Sequence, residues 1–261
     1  MHRALITGGT SGIGAAFSKA FAQRGVDLVI VARDQERLES FARDMRETYG
    51  VDVETLRADL VDRADQERVK TRIAAHDDAR PAIDILVNNA GFSVRTDILG
   101  EDLDLHDDAI EVMIRGVLHL SNAAGRSFAQ RGKGWIINVN SVSGHLPQNN
   151  YSAIKAWGLN FTEALAVRLN GSGVHVTSLE PGWVRTEFHQ RAGVKGSSIP
   201  DCLWLQADDL VAECLRDVAR GKVVSVPSSR FKTLAVLARV APRNVLHGVS
   251  AWFTARRNRE K

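Results

Sequence analysis

Three side chains in the middle of the chain, Ser141, Tyr151 and Lys155, have the chemical types and the spacing that proton transfer requires. Tyr151 and Lys155 stand four residues apart, so they lie on the same face if this segment is a helix. The pKa of a tyrosine is ordinarily about 10, and a neighbouring ammonium lowers it by favouring the phenolate. Ser141 ends an apolar, β-branched run and can donate a hydrogen bond to a carbonyl oxygen. These residues predict general acid–base catalysis at a carbonyl or alcohol group, with Ser141 and Tyr151 also contacting substrate.

That chemistry needs support from elsewhere in the chain, because a lone Tyr-x-x-x-Lys pair also occurs on solvated helix faces. A glycine-rich segment joins the first apolar run to the first helical segment. Such glycines let the backbone approach a pyrophosphate at a helix N-terminus, although an ordinary tight turn is the simpler alternative. The position of the segment favours dinucleotide binding. The predicted pyrophosphate contacts are Gly8, Thr10, Ser11, Gly12, Ile13 and Gly14.

The end of the second apolar run indicates which dinucleotide is bound. Folds that bind NAD generally have an Asp or Glu at this place to bind the ribose 2′-hydroxyl, whereas this chain has Ala32 followed by Arg33. A guanidinium can bind a 2′-phosphate in a bidentate manner, and Arg37 is a candidate second contact. The alternative is that Arg33 only caps the strand end in solvent. We expect NADP(H) as the cofactor.

Short apolar runs alternate with longer segments of helical periodicity, which predicts an α/β fold with one doubly wound parallel sheet covered by helices on both faces. We expect residues 1–227 to form a Rossmann-like dinucleotide-binding and catalytic domain with a substrate lid at 190–215, and 228–261 to form a basic, apolar extension. The predicted strands are Ala4–Thr7, Leu28–Val31, Val53–Arg57, Ile83–Val87, Trp135–Asn140, Val174–Leu179 and Val223–Val226. The predicted helices are Ile13–Arg24, Gln35–Tyr49, Leu60–Ala75, Ala109–Ala129 and Ala153–Leu169.

Three motifs follow one another on the predicted elements: the glycine turn, Asn88-Asn89-Ala90-Gly91 and Tyr151-Ser-Ala-Ile-Lys155. In the order of these motifs and in the elements that carry them, the chain resembles the short-chain dehydrogenase/reductase family from about residue 3 to 190. The resemblance implies hydride exchange between a nicotinamide cofactor and a carbonyl or alcohol, with Tyr151 and Lys155 also contacting the cofactor. Within the family, the chain looks most like bacterial NADPH-dependent ketone reductases. The resemblance also implies cofactor contacts at Asp59 and Leu60, with Asp59 against the adenine, and at Asn89, Ala90 and Gly91, which would line the adenosine side of the cleft. It further implies a nicotinamide-side segment after the sixth strand, with contacts at Pro181, Gly182, Val184 and Thr186, the last bonding the nicotinamide carboxamide.

Two departures from the family pattern bear on the catalytic prediction. Met113 stands where the family usually has an asparagine that supports a proton relay to the lysine, and methionine has no amide to offer. Ser141 and Tyr151 are ten residues apart, fewer than the common family spacing, which removes part of the wall of the substrate pocket. The alternative to an active enzyme is therefore an NADP(H)-binding scaffold or sensor with impaired turnover.

Apolar residues beside the predicted lid indicate the class of substrate. Trp183 is the predicted substrate contact, and an apolar lid favours a hydrophobic ketone or secondary alcohol over a sugar. The use of NADPH in cells favours the reducing direction. The apolar residues in or beside the lid are Trp183, Phe188, Leu203, Trp204 and Leu205, although for Leu203 and Leu205 we favour the alternative that they start a core helix.

The charge of the chain is distributed unevenly. Among 261 residues the formal net charge is +3, but residues 221–261 carry +8, which leaves −5 on the remainder. The net negative charge of residues 1–220 and the lack of a recognition motif argue against nucleic-acid binding. The basic extension either contacts an anionic membrane surface peripherally or packs on the domain or a partner subunit.

Composition limits the remaining possibilities. The two cysteines form no CxxC pair and the eight histidines have no paired spacing, so we expect neither a disulfide framework nor a metal site. The chain starts without the apolar core of a secretory signal, and we expect it to be cytoplasmic. The family resemblance implies a homo-oligomer.

Overall fold

The computed structural model of the chain describes residues 2–75, 80–94, 96–186 and 201–259, with only the backbone for Cys202 and for residues 252–259. Within these ranges the strands form one parallel sheet in the order β3-β2-β1-β4-β5-β6-β7. The order reverses between β1 and β4, and in such sheets ligands bind in the crevice outside the strand ends at that point. The strands are β1 (Arg3–Thr7), β2 (Asp27–Ala32), β3 (Val53–Arg57), β4 (Ile85–Asn88), β5 (Gly134–Val139), β6 (Val174–Leu179) and β7 (Val224–Ser225).

Helices cover both faces of this sheet, which confirms the predicted doubly wound α/β fold. Side chains of α3, α5 and α6 pack with one face of the strands, and side chains of α1, α2 and α7 pack with the other. The helices in the described part of the chain are α1 (Gly12–Ala22), α2 (Gln35–Tyr49), α3 (Arg63–Ala74), α4 (Asp104–Ile110), α5 (Val117–Arg131), α6 (Asn150–Arg168), α7 (Ala207–Ala219), α8 (Ser229–Val240) and α9 (Arg243–Arg259).

The helix predicted over Ala109–Ala129 is wrong as a single element. The chain instead forms α4, a π-helical turn over Glu111–Gly116, and then α5. The buried side chain of Gln66 donates from Nε2 to the Glu111 carbonyl at 3.1 Å, and a side chain bonded to a helix carbonyl in this way disturbs the regular ladder. Met113 therefore lies within the π-helical turn.

Helix α6 begins three residues before its predicted start because a capping box forms there. The Asn149 side chain accepts from the Ser152 backbone N–H at 2.9 Å, and the Ser152 hydroxyl accepts from the Asn149 N–H at 3.0 Å. These two bonds satisfy backbone donors that a helix N-terminus otherwise leaves free. Tyr151 consequently lies in the first turn of α6.

After β7 the chain continues into α8 and α9, the predicted extension. Helix α8 buries Phe231 and Ala235 in a small apolar cluster with Val226, whereas Leu237 and Val240 stay exposed. The boundary predicted at residue 227 falls between β7 and α8 and stays a prediction. Among the described residues, no helix has the length and the apolar character needed to cross a membrane.

Candidate active site

The predicted catalytic residues come together at the carboxyl end of β5 and the start of α6. Ser141 follows β5, and its Oγ accepts from the Ser143 N–H at 3.1 Å, which starts the 3-10 turn over Val142–His145. The Nζ of Lys155 lies 5.6 Å from the centre of the Tyr151 ring, so the two side chains share a helix face as predicted. A hydrogen bond also joins the side chains of Ser141 and Tyr151.

Burial sets the protonation of the tyrosine and the lysine. It raises the pKa of Tyr151 to about 12, against the smaller lowering effect of the hydrogen bond from Ser141. It lowers the pKa of Lys155 to about 8, while Nζ donates to the Val139 carbonyl at 2.8 Å. Desolvation of the phenolate opposes the lowering predicted from the neighbouring ammonium, and that lowering stays a prediction. At neutral pH the tyrosine keeps its proton.

The glycine turn between β1 and α1 has the shape of a phosphate-binding loop. Gly8 and Gly12 adopt φ angles of +64° and +51°, which L side chains rarely adopt. A Cβ added to Gly14 would lie 2.2 Å from the Gly8 carbonyl oxygen, so only glycine fits there. The glycines thus let the turn pack tightly at the N-terminus of α1, where a pyrophosphate binds in such loops, and the loop fits the predicted dinucleotide.

Asn89 fastens this loop to the end of β4. Its Nδ2 donates to the carbonyls of Thr7 and Gly8 at 2.9 and 3.2 Å. The backbone N–H groups of Asn89 and Ala90 in turn donate to the Thr7 hydroxyl at 2.9 and 3.0 Å. The predicted adenosine-lining segment therefore lies directly beside the glycine turn.

At the end of β2, Arg33 is two-thirds exposed and its Nη1 lies 3.9 Å from the Asp59 carboxylate. Asp34 caps α2 by accepting from the Arg37 N–H at 3.0 Å. The Arg37 guanidinium donates to the Thr10 carbonyl at 3.1 and 3.2 Å, so it braces the glycine turn and is not a free second phosphate contact. Arg33 is thus the more exposed of the two guanidiniums and the better placed to meet a ligand.

Leu60 does not offer its side chain or its carbonyl to a cofactor. The side chain is buried in the core, and the carbonyl accepts from the Gln66 Nε2 at 2.8 Å. The predicted cofactor contact at Leu60 is therefore left to the rest of its backbone, beside Asp59.

The segment after β6 brings the other predicted nicotinamide-side residues to the glycine turn. A Cβ added to Gly12 would lie 3.2 Å from the Thr186 side chain, and Val184 pairs with Leu205 in an isolated bridge. The half-buried ring of Trp183 meets Phe231 edge-on at 5.7 Å. Phe188 and residues 190–200 of the predicted lid lie outside the described residues.

Met113 packs in the site without offering a polar group. It is 4% exposed, and a Cβ added to Gly91 would lie 2.9 Å from its Sδ. At the position where the family usually has asparagine, Met113 therefore makes an apolar contact between the π-helical turn and the predicted adenosine-lining segment.

A buried chain of polar side chains behind the site was missed in the sequence. It ties the ends of the central strands together through the donors of Asn88, Asn138 and Asn140. The signal that could have found it is the repeated asparagine at the carboxyl ends of β4 and β5. Within the described ranges, no group of three His, Cys, Asp or Glu could hold a metal ion.

Comparison with known proteins agrees with this geometry. The family model for short chain dehydrogenases matches residues 2–195. An uncharacterized oxidoreductase of Staphylococcus saprophyticus is 36% identical over 186 residues, which cover 70% of this chain and 78% of the relative. The chain belongs to the short-chain dehydrogenase/reductase family, and it is accordingly assigned to the oxidoreductases that act on alcohol and carbonyl groups.

Two solved structures are similar over almost the whole chain. A short-chain dehydrogenase from Sphingobium yanoikuyae in complex with NADPH has a TM-score of 0.82 at 34% identity, covering 93% of this chain and 97% of that one. The bulky-bulky ketone specific alcohol dehydrogenase from Comamonas testosteroni has a TM-score of 0.78 at 30% identity, covering 93% and 96%.

The buried lysine predicts how the stability of the protein depends on pH. Because the pKa of Lys155 is about 8 when folded and 10.5 ordinarily, the unfolded chain binds more protons between these values. The contribution of Lys155 to the free energy of unfolding is therefore lowest below pH 8 and rises up to about pH 10.5. The free energy of unfolding of wild type minus that of Lys155→Met, measured by urea denaturation, should therefore rise between pH 8 and about pH 10.5. A difference that is flat or falls would contradict a desolvated ammonium.

Proposed function

We propose that this protein is an NADP(H)-dependent oxidoreductase that reduces a hydrophobic ketone to a secondary alcohol. The observation that carries the proposal is the clustering of Ser141, Tyr151 and Lys155 at the carboxyl ends of the parallel strands, where the glycine turn also lies. An acid, a hydrogen-bond donor and a cation beside a dinucleotide loop suit carbonyl reduction better than any other chemistry.

In this proposal each catalytic side chain has one task. Tyr151 is protonated at neutral pH and transfers its phenolic proton to the carbonyl oxygen of the substrate. Ser141 donates a hydrogen bond to the same oxygen and holds it in place. Lys155, held by the Val139 carbonyl, presents its ammonium beside the tyrosine and binds the cofactor ribose. The bound nicotinamide supplies the hydride that reaches the carbonyl carbon.

The cofactor preference for NADP(H) is supported by the end of β2. Ala32 offers no carboxylate for a ribose 2′-hydroxyl, and the exposed Arg33 is positioned to receive a 2′-phosphate. The Sphingobium yanoikuyae relative, described in complex with NADPH, agrees with this preference.

The substrate class is supported by the apolar surroundings of the site. Trp183 and the neighbouring Leu205 belong to the partly buried apolar residues that pack around Phe231. An apolar wall of this kind favours a ketone with apolar substituents. The Comamonas testosteroni relative, described as specific for bulky-bulky ketones, is consistent with such a substrate.

A second candidate function is an NADP(H)-binding scaffold or sensor with impaired turnover. The observation in its favour is Met113, which fills the family's relay position with a buried thioether. In this candidate the glycine turn still binds the cofactor, but no efficient path carries protons to Lys155.

Replacing the phenol separates the two candidates. Tyr151→Phe should lower the rate of NADPH-dependent ketone reduction by about 10²- to 10⁴-fold, the usual contribution of a general acid, and should weaken NADPH binding far less because the phenol is one cofactor contact among many. Absorbance of NADPH with a panel of bulky ketones measures the rate. Tyr49→Phe, the other tyrosine of the chain, is the matched control and should stay active. Tight NADPH binding with no reduction by wild type, together with activity gained in Met113→Asn, would favour the scaffold.

Removing the guanidinium tests the cofactor preference. Arg33→Ala should weaken NADPH binding by about 10- to 100-fold, as expected for a charge-assisted contact to phosphate, and should leave NADH binding almost unchanged. Fluorescence titration of each cofactor measures the two dissociation constants. Arg43→Ala, an exposed arginine on α2, is the control. Equal losses for both cofactors would contradict the phosphate contact.

We propose further that the protein works in the cytoplasm and forms a homo-oligomer. We also propose that its C-terminal extension, residues 228–261, contacts an anionic membrane surface. Leu237 and Val240 are 56% and 73% exposed on α8, within a region that carries a net charge of +8. Exposed apolar side chains among basic ones suit the interface of an anionic bilayer.

Sedimentation with vesicles tests this contact. The full chain should pellet with vesicles that contain phosphatidylserine and stay in solution with phosphatidylcholine alone. Changing Leu237 and Val240 to Glu should release it, whereas Leu99→Glu, which alters an exposed residue outside the extension, should not. Equal soluble fractions with both kinds of vesicle would overturn the proposal.

A further inference from the structure

Glu180, which follows β6, is a buried carboxylate that the proposed mechanism does not use. Its side chain has no exposed surface. His145 Nε2 lies 2.8 Å from Oε2, and Arg239 Nη2 lies 3.1 Å from Oε1. The Ser178 hydroxyl donates to Oε1 at 3.4 Å. Since an unpaired buried charge is strongly unfavourable, these contacts must be kept for the carboxylate to stay in place.

The two nitrogen partners of Glu180 come from separate parts of the chain. His145 ends the 3-10 turn that Ser141 begins, so it lies four residues from the predicted hydrogen-bond donor. Arg239 lies in the last turn of α8, in the C-terminal extension. Glu180 itself directly precedes Pro181 in the predicted nicotinamide segment. One carboxylate therefore joins the extension to both sides of the candidate site.

Apolar contacts place α8 against the same two segments. The Phe231 ring lies on Gly182, because a Cβ added there would come within 2.3 Å of the ring. Val142 and Trp183 pack against the cluster formed by Phe231 and Ala235. Helix α8 thus supports the residue after Ser141 and the residues after Pro181 at once.

The two supported segments are also bonded directly to each other. The Pro181 carbonyl accepts from the Val142 N–H at 3.1 Å and from the Ser141 hydroxyl at 3.5 Å. A shift of either segment therefore moves the Ser141 hydroxyl relative to the cofactor side of the site. Displacements of about 1 Å are known to lower rates by up to about 100-fold when reacting groups must be aligned.

We propose that His145, Glu180 and Arg239 are positioning residues through which α8 sets the geometry of the active site. They hold Ser141 and the Pro181–Val184 segment at the separation that carbonyl reduction needs. The catalytic part of this inference rests on the proposed function, but the positioning of the two segments does not. The competing explanation is that the three residues only add stability to the fold.

The test uses the full chain with changes at the exposed end of the network. Arg239 is 40% exposed, so Arg239→Met removes the cation with little change in packing, and Arg239→Lys is the conservative variant. The double variant Glu180→Gln/Arg239→Met removes both charges and leaves no buried carboxylate unpaired if the single variant folds poorly, since Glu163, which lies 3.9 Å from Arg239, is half-exposed. Arg243→Met, an exposed arginine just beyond α8, is the control.

Steady-state kinetics with NADPH and a bulky ketone should show a loss in kcat that stability does not explain. Arg239→Met should lower kcat about tenfold while the dissociation constant of NADPH changes less than about twofold. Arg239→Lys should recover part of kcat, and Arg243→Met should match wild type. The double variant should regain thermal stability without regaining kcat. Wild-type kcat in Arg239→Met, or kcat that returns with stability in the double variant, would overturn the proposal.

A second measurement does not depend on turnover. Hydrogen exchange followed by mass spectrometry should be faster in the peptide containing Val142 in the Arg239 variants, because its N–H bond to Pro181 is loosened. Failure of wild type to reduce any ketone would refute the proposed function alone. Unchanged exchange in Arg239→Met and in the double variant would refute the positioning role.

Discussion

The site depends on the need to pair polar side chains that lie in an apolar interior. Asn88 Nδ2 donates to Asn138 Oδ1 at 2.9 Å, Asn138 Nδ2 donates to Thr162 Oγ1 at 3.0 Å, and Asn140 Nδ2 donates to Ser178 Oγ at 2.8 Å. An unpaired amide here would cost about 1–3 kcal/mol, so β4, β5, β6 and α6 are held in one arrangement. This arrangement fixes α6 against the strands at Thr162, and α6 is the helix that carries the proposed acid and its lysine.

Local patterns in the sequence were sufficient for the individual strands, the glycine turn and the pairing of Tyr151 with Lys155, because each depends on residues close together in the chain. The missed features depend on distant contacts. The π-helical turn begins at Glu111, whose carbonyl accepts a hydrogen bond from Gln66, 45 residues away in the chain. The raised pKa of Tyr151 depends on burial, which residue spacing cannot report. The proposed anchoring of Ser141 by α8 likewise joins segments far apart in the chain.

Two features of this chain bear on how the candidate site would work. The first is Met113, whose thioether packs on Gly91 where a polar relay residue is the expected one. The second is the extension, whose inner face contacts Gly182 through Phe231 while its outer face leaves Val240 exposed. Helix α8 therefore has two surfaces with separate proposed tasks, one supporting the site and one facing a membrane. A change on the outer face need not disturb the inner one.

The central claim is that the chain transfers a hydride from NADPH to a ketone, with Tyr151 supplying the proton. The most direct measurement is the transfer of label from NADPH deuterated at the reactive position of nicotinamide to a bulky ketone, followed by mass spectrometry of the alcohol. The account predicts an alcohol that carries one deuterium on the carbinol carbon with wild type and almost none with Tyr151→Phe. NADPH binding without any labelled alcohol from wild type, over a broad panel of ketones, would contradict it.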